Sequence, residues 1–228
     1  MHDVTISAEI VERIEKRRGH LHLYDEIEPR STALVVVDMQ NAFCEEDAPA
    51  EVPASRGIVD NINRLAADLR AAGGQVIWIV SAFAVRDGRS DWTNFFDNIV
   101  SAEVRERTMT NMAPGAHGTL LYPPLDVLDD DTLVEKNRYS CFASGASQLE
   151  RVLRGRSLDT VLIAGTKTNI CCEATARSAW DLDFDVVMVS DCCAALSDRE
   201  HQSALENTIQ QFGDVLTGSE VVARFRQP

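Results

Sequence analysis

The sequence lacks the features that place a chain in a membrane or on a nucleic acid. No apolar segment approaches the roughly 18 residues of a membrane span, and the polar, acidic N-terminus does not resemble a signal peptide. The formal net charge of −14 offers no basic face for phosphate groups. We therefore expect a soluble, cytoplasmic protein that binds neither nucleic acid nor membranes.

Cysteine is present, but without the spacing of a zinc site or of a disulfide framework. The six cysteines include the adjacent pairs Cys171-Cys172 and Cys192-Cys193, and they form no C-x-x-C motif. We expect all of them to stay reduced. Five are interpreted as structural residues of the interior: Cys44, Cys141, Cys172, Cys192 and Cys193.

The chain also lacks linker-like tracts, internal repeats and low-complexity segments. Its 228 residues, 45% of them hydrophobic, are enough to bury a full core. We predict a single domain over residues 1–228, in which residues 1–30 form an N-terminal helical extension.

Apolar runs alternate with amphipathic segments along the chain. This alternation predicts an α/β fold, a three-layer, doubly wound, mainly parallel six-stranded sheet with helices on both faces. Residues 82–130 are predicted to be mostly loop, with a helix near 98–107. The predicted strands are 33–38, 76–80, 132–135, 160–164, 185–190 and 215–216, and the other predicted helices are 7–18, 57–72, 145–154, 170–182 and 198–212.

Three chemically active side chains stand at the C-terminal ends of predicted strands. Asp38 closes the apolar run 33–37, Lys136 follows 132–135, and Cys171 lies in the turn after 160–164. Open α/β sheets bind their ligands outside these strand ends. Taken singly, an Asp or Lys at such a place is also typical of a cap, a turn or a solvated ion pair.

Cys171 falls where a helix is predicted to begin. The partial positive charge of a helix N-terminus favours a thiolate, and the unpaired backbone N–H groups there can bind an oxyanion. Cys171 is therefore a candidate nucleophile. The alternative is that it is an ordinary small, buried residue.

Four segments, taken in order, resemble a known family. They are VVVDMQN at 35–41, EKNRYS at 135–140, GTKTNICCEATAR at 165–177 and VMVSD at 187–191. Over roughly residues 30–218 the chain resembles the isochorismatase-like cysteine hydrolases. That family includes nicotinamidases, N-carbamoylsarcosine amidohydrolases and ureidoacrylate amidohydrolases.

The resemblance implies a catalytic triad of Asp38, Lys136 and Cys171. Cys171 would attack a carbonyl, Lys136 would supply the cation, and Asp38 would act as the base and then as the acid. The backbone N–H groups of Lys167 and Cys171 are the implied oxyanion hole. The resemblance also implies a cis peptide bond between Thr166 and Lys167.

Arg138 and Tyr139 are predicted to bind substrate. They follow the triad lysine in a Lys-x-Arg-Tyr-Ser-x-Phe run that is similar to the one in ureidoacrylate amidohydrolases. The guanidinium of Arg138 can clamp a carboxylate in a bidentate pair. The alternative is a structural arginine that is bonded to loop carbonyls.

Further substrate-binding candidates come from position. Asn41 and Phe43 follow Asp38 closely, and Trp92 is a candidate wall of the pocket, although aromatic residues of a long loop are also typical of a core or an interface. Lys167 departs from the small or apolar residue that the family resemblance leads us to expect. Its charge either lies beside the nucleophile or reaches solvent.

No histidine lies shortly after Asp38, where the family's nicotinamidases carry a metal site. The five histidines are His2, His20, His22, His117 and His201, none of them in a metal-ligand pattern. The acidic segment 44–47 is interpreted as a solvated loop. We predict no required metal or cofactor, and we disfavour a nicotinamidase.

These observations together predict a cysteine-dependent amidohydrolase. It would cleave a C–N bond of a small amide or N-carbamoyl (ureido) compound and release ammonia or an amine through a thioester. The alternatives are a vinyl-ether hydrolase of the isochorismatase type, which needs no cysteine nucleophile, and a non-catalytic scaffold of the same fold. The resemblance also implies a homodimer or homotetramer.

Overall fold

The computed structural model describes residues 2–226 of the chain. Most of its strands belong to one sheet, and two short ones form a separate hairpin. The strands are β1 (Thr32–Val37), β2 (Gln75–Ser81), β3 (Val85–Arg86), β4 (Arg89–Ser90), β5 (Thr132–Lys136), β6 (Thr160–Thr166), β7 (Asp185–Ala194) and β8 (Asp214–Leu216).

Helices fill most of the connections between strands. They are α1 (Ala8–Arg18), α2 (Asn41–Cys44), α3 (Val59–Ala71), α4 (Thr93–Asn98), α5 (Ala102–Asn111), α6 (Leu149–Gly155), α7 (Glu173–Asp181), α8 (Asp198–Gln211) and α9 (Gly218–Ala223). A π-helical turn, Thr168–Cys172, leads directly into α7. Within residues 2–226, no helix has the length and apolar character needed to cross a membrane.

The sheet has the order β5-β2-β1-β6-β7-β8, and all of its neighbouring strands are parallel. The chain starts in the middle at β1, builds outward through β2 and β5, and then returns to the other side of β1 to place β6, β7 and β8. The direction of winding therefore reverses between β1 and β6, which is where doubly wound sheets bind ligands. The predicted α/β class is confirmed.

The central strands are buried on both faces, which explains why they read as continuous apolar runs. Along β1, Ala33, Val35 and Val37 pack into one hydrophobic cluster, while Leu34 and Val36 pack into a second one on the opposite face. Helices α3 and α9 contribute to the second cluster, and α1, α6, α7 and α8 contribute to the first. These are the three predicted layers.

The structure departs from the predicted elements in several places. Helices α2 and α9 were not predicted, and the helix predicted to begin at residue 145 begins at Leu149. Residues 82–130 hold a hairpin and two helices, α4 and α5, where one helix over 98–107 was predicted. Strand β7 continues to Ala194, beyond the predicted end at residue 190, because its pairing with β6 shifts register. Met188 pairs with Ile163, and pairing resumes between Cys193 and Gly165. The polar residues Ser190 and Asp191 lie inside this irregularity, and in the sequence they are typical of the end of a strand.

Candidate active site

Asp38 lies directly after β1, in the centre of the sheet. Its backbone adopts the left-handed region at φ 55°, a conformation in which aspartate is enriched among non-glycine residues. Its backbone N–H donates to Ile79 O at 2.9 Å. The carboxylate is fully buried at the carboxyl edge of the sheet, which is the position predicted for it.

Lys136 is the last residue of β5, and its ammonium group is buried against Asp38. The distance from Nζ to Asp38 Oδ2 is 2.8 Å. Nζ also donates to Ser81 Oγ at 2.8 Å and to Arg138 O at 3.0 Å. Burial opposes the charged form, but the Asp38 carboxylate and Cys171 outweigh it and raise the pKa of Lys136. The side chain is therefore a permanent cation at neutral pH.

Cys171 reaches the same place from β6, through a tightly built turn. Gly165 has φ +109°, and a Cβ there would lie 2.0 Å from Val37 O, so only glycine allows β6 to approach β1 this closely. The next peptide bond, between Thr166 and Lys167, is cis, as predicted. The π-helical turn then carries Cys171 Sγ to 3.6 Å from Lys136 Nζ.

The thiol of Cys171 is protonated at neutral pH, which differs from the thiolate expected at a helix start. Burial raises its pKa well above the ordinary value, Lys136 lowers it, and Asp38 raises it again through its charge and a hydrogen bond. Burial and Asp38 together prevail. The cysteine therefore needs a base that removes its proton during attack, and Asp38 is near enough to influence its pKa.

The two oxygens of the Asp38 carboxylate have different surroundings. Oδ1 accepts a hydrogen bond from Ser81 Oγ at 2.8 Å. Oδ2 contacts the Lys136 ammonium but receives no hydrogen bond of good geometry from the described residues. The free lone pair of Oδ2 can accept a proton, so the arrangement suits a general base.

Trp92 and Tyr139, two of the predicted pocket residues, lie together beside this cluster. Their ring centroids are 4.6 Å apart in an edge-to-face contact, and Phe95 stacks on Trp92 at 5.0 Å. Burial and then Cys171 raise the pKa of the Tyr139 hydroxyl, while Lys136 lowers it. Tyr139 is therefore within electrostatic reach of the triad.

Arg138 is bonded to loop carbonyls, the alternative to a side chain that is free to bind a substrate carboxylate. Its Nη1 donates to Asn137 O at 2.7 Å, and its Nη2 donates to Asp91 O at 3.0 Å. The guanidinium lies 5.4 Å from the centre of the Trp92 ring. Two of its terminal donors are thus committed to loop carbonyls, and the residue supports the aromatic wall.

Asn41 and Phe43 lie on α2, immediately after Asp38, and both are buried. Asn41 Nδ2 donates to His117 O at 3.1 Å, while its Oδ1 is buried and has no partner in the part of the chain that is described. Phe43 packs within one of the two core clusters. Asn41 therefore offers an unused acceptor, and Phe43 contributes apolar packing next to the site.

Lys167 carries a half-buried side chain that forms no hydrogen bond or ion pair with any other residue in the range 2–226. It sits between the cis peptide bond and the π-helical turn of the nucleophile. The predicted oxyanion hole, formed by the backbone N–H groups of Lys167 and Cys171, remains a prediction.

Comparisons with known proteins agree with this architecture. The isochorismatase domain family matches residues 32–220. Ureidoacrylate amidohydrolase RutB of Rhizobium rhizogenes is 32% identical over 213 residues, which cover 88% of this chain and 86% of that protein. The chain belongs to the isochorismatase family. The predicted resemblance is confirmed, and the chain is a hydrolase.

Solved structures of similar proteins have the same fold. A cysteine hydrolase from Pseudomonas syringae pv. phaseolicola superposes with a TM-score of 0.77 at 31% identity, covering 90% of this chain and 96% of that one. N-carbamoylsarcosine amidase from Thermoplasma acidophilum superposes with a TM-score of 0.64 at 24% identity, covering 82% and 96% respectively, which shows a shared fold.

A histidine does approach the segment that follows Asp38, although none is near it in sequence. His117 Nε2 lies 2.9 Å from both carboxylate oxygens of Glu45. Among residues 2–226, no group of three or more His, Cys, Asp or Glu side chains is arranged to hold a metal ion. That this isochorismatase-family chain needs no metal remains a prediction.

Two polar residues of the site were missed by the sequence analysis, Ser81 and Gln40. Gln40 Oε1 accepts from Ser81 N at 2.6 Å, and its Nε2 donates to Ser81 O at 3.0 Å. One signal was available in the sequence, because Ser81 is a polar residue that ends an apolar strand. The other five cysteines are buried free thiols, as their structural interpretation expects.

Proposed function

We propose that this isochorismatase-family chain is a cysteine-dependent amidohydrolase that acts on a small amide or N-carbamoyl compound. One observation carries the proposal. A buried ammonium, Lys136 Nζ, contacts both Asp38 Oδ2, at 2.8 Å, and Cys171 Sγ, at 3.6 Å. A base and a nucleophile that both contact one buried cation suit covalent attack on an amide.

The first half of the proposed reaction makes a thioester. Asp38 Oδ2 takes the thiol proton as Cys171 Sγ attacks the carbonyl carbon, and the Lys136 ammonium stabilises the sulfur while it is anionic. The backbone N–H groups of Lys167 and Cys171 hold the tetrahedral oxyanion. The protonated Asp38 then gives its proton to the leaving nitrogen, and ammonia or an amine departs.

The second half consumes water. Asp38, again a carboxylate, removes a proton from a water molecule that attacks the thioester, or the thiocarbamate formed from a ureido substrate. When the intermediate collapses, the C–S bond breaks and Cys171 recovers its proton from Asp38. The products are the carboxylic or carbamic acid and the free enzyme, so every proton is returned.

We further propose that the substrate carries a carboxylate, as ureidoacrylate does, and that Lys167 binds it. The Lys167 ammonium has no partner in the described residues, whereas Arg138 is occupied by loop carbonyls. The backbone N–H of Lys167 is predicted to bind the oxyanion, so the ammonium of the same residue lies within one side-chain length of the reacting carbonyl. The relative named ureidoacrylate amidohydrolase supports this substrate class.

The experiment that tests the activity is ammonia release from a panel of substrates. It should include primary amides, N-carbamoyl amino acids, ureidoacrylate-like acids, biuret and nicotinamide. We expect release by the wild type, none by Cys171→Ala, and near wild-type release by the matched control Cys172→Ala. Release that persists in Cys171→Ala would contradict the proposal. Absence of release from the whole panel would favour a vinyl-ether hydrolase, with isochorismate as the next compound, or a scaffold.

The carboxylate partner is tested with paired substrates, an N-carbamoyl acid and its neutral amide or ester. Lys167→Met should raise KM for the acid by about tenfold or more, because a charge-assisted hydrogen bond is lost. KM for the neutral compound should change little. If instead Arg138→Ala raises KM for the acid selectively and Lys167→Met does not, Arg138 is the clamp. Equal effects on both substrates would refute a carboxylate site at either residue.

A further inference from the structure

Ser81 lies between the base and the cation of the proposed triad because of strand order. It ends β2, the strand that separates β1, followed by Asp38, from β5, which ends in Lys136. Ser81 pairs in register with Lys136, and its side chain is buried with them. A residue at the end of the intervening strand is therefore the one that can touch both.

The orientation of the Ser81 hydroxyl is decided by its two neighbours. The Lys136 ammonium can only donate, so the contact of 2.8 Å between Nζ and Oγ uses a lone pair of the hydroxyl. The single hydroxyl proton is then directed to Asp38 Oδ1, also at 2.8 Å. Ser81 Oγ thus bridges the two groups, accepting a hydrogen bond from Lys136 and donating one to a single oxygen of Asp38.

This bridge makes the two oxygens of Asp38 unequal. Oδ1 is held by the Ser81 hydroxyl, and Oδ2 has no hydrogen-bond donor of good geometry in residues 2–226. A proton that leaves Cys171 is therefore accepted at Oδ2, the oxygen that also contacts Lys136. Lys136 Nζ donates to Ser81 Oγ, Arg138 O and Cys171 Sγ, so its three protons are taken and its contact with Oδ2 is one of charge alone.

Gln40 fixes the backbone of Ser81 on both sides. The Gln40 side chain accepts from Ser81 N at 2.6 Å and donates to Ser81 O at 3.0 Å, and it also donates to Gly118 O at 2.8 Å. All of these atoms are buried. The bridging hydroxyl is therefore anchored to the loop at Gly118 as well as to the strand.

We infer that Ser81 is a positioning residue of the proposed amidohydrolase, which directs proton transfer from Cys171 to Oδ2 of Asp38 and holds Lys136 in register. The inference rests on the proposed function. Ser81 acts through its two neighbours and touches no reacting atom, so its loss should reduce turnover without weakening substrate binding.

The test compares Ser81→Ala, which removes the hydroxyl, with Ser81→Thr, which keeps it. On the best substrate of the panel, Ser81→Ala should lower kcat by about 10-fold to 100-fold with KM within about threefold, because the carboxylate loses the contact that aligns it. The acid limb of the pH profile of kcat/KM should move to higher pH. Ser81→Thr should restore most of the wild-type kcat and most of the wild-type position of the acid limb. Ser190→Ala is the matched control, since that strand hydroxyl donates to Leu216 O in another part of the sheet.

A second readout needs no substrate. The rate at which iodoacetamide alkylates Cys171 can be followed across pH by peptide mass spectrometry. The midpoint of this pH dependence should move upward by about half a pH unit or more in Ser81→Ala, and Ser81→Thr should restore the wild-type midpoint. The shift is upward because Asp38 raises the pKa of the thiol, and the carboxylate loses a donor. If the wild type turns over substrate but Ser81→Ala keeps the wild-type kcat and both pH profiles, the inference is wrong and the proposed function stands. If no substrate is found, an unchanged alkylation profile overturns the inference, and the expected shift supports it.

Discussion

The buried ion pair between Asp38 and Lys136 makes a strong prediction about stability. Both side chains are about 1% exposed or less, and their charged atoms are 2.8 Å apart. At an effective dielectric constant of about 20, the attraction at this distance is about 6 kcal/mol. Removing one partner forfeits this attraction and leaves the other charge desolvated. We therefore expect Asp38→Asn and Lys136→Met each to lower the free energy of unfolding by about 3–5 kcal/mol.

The double variant should lower the free energy of unfolding by much less than the sum of the two single variants. It leaves no unpaired charge in the interior, and replacing a buried pair by neutral groups of similar size is often close to neutral. We expect the double variant to unfold within about 2 kcal/mol of the wild type. Neither the single variants nor the double variant should release ammonia, because each lacks a group that the chemistry needs.

The measurement is a double-mutant cycle by urea unfolding at pH 7, followed by circular dichroism. It is best made in a Cys171→Ala background, because a thiolate 3.6 Å from Nζ could otherwise replace the carboxylate. The control cycle uses the half-exposed pair Asp97 and Arg105, whose atoms are 2.9 Å apart, and should give a coupling below about 1 kcal/mol. Additive effects at Asp38 and Lys136, or single variants as stable as the wild type, would refute the buried pair.

Two further predictions concern protonation. Asp38→Asn should lower the pKa of the Cys171 thiol, because Asp38 raises it through charge and a hydrogen bond; a thiolate absorbance titration that moves up or stays still would contradict this. Burial, and then His2, lower the pKa of His201 to about 4. Between about pH 6.5 and pH 4, His201 therefore becomes protonated in the unfolded chain but stays neutral in the folded chain. The free energy of unfolding should fall as the pH falls through this window. His201→Asn should flatten that dependence, whereas the exposed control His20→Asn should not.

The convergence of the triad could be predicted without knowing the order of the strands. Asp38, Lys136 and Cys171 each follow an apolar run, and strands buried on both faces in a parallel sheet all end at the same edge. Any order that keeps the strands near one another brings the three side chains to that edge. This is why a pattern of strand ends, with the family resemblance, was sufficient for the site.

The contacts of Ser81 could not be predicted in this way. They depend on β2 lying between β1 and β5, and the alternation of strands and helices does not state which strands are neighbours. The approach of His117 to Glu45 was hidden for a similar reason, since 72 positions separate the two residues. Helices α4 and α5 were missed as separate elements because few of their residues are buried, so their sequences carry little hydrophobic periodicity.

The activation of Cys171 shows where a local rule stops being sufficient. The partial charge at a helix start favours a thiolate, but it is worth about 1 kcal/mol and falls off within a turn, whereas burial raises the pKa of this thiol well above its ordinary value. The buried cluster instead holds one cation, Lys136, and one negative charge that Asp38 and Cys171 exchange. When the proton moves from Sγ to Oδ2, the net charge of the cluster does not change, so the transfer adds no unpaired charge to the interior. Lys136 neutralises the anion before and after the transfer, because it contacts both atoms. A neutral thiol at rest and a nucleophilic sulfur during attack are therefore compatible in the same dry site.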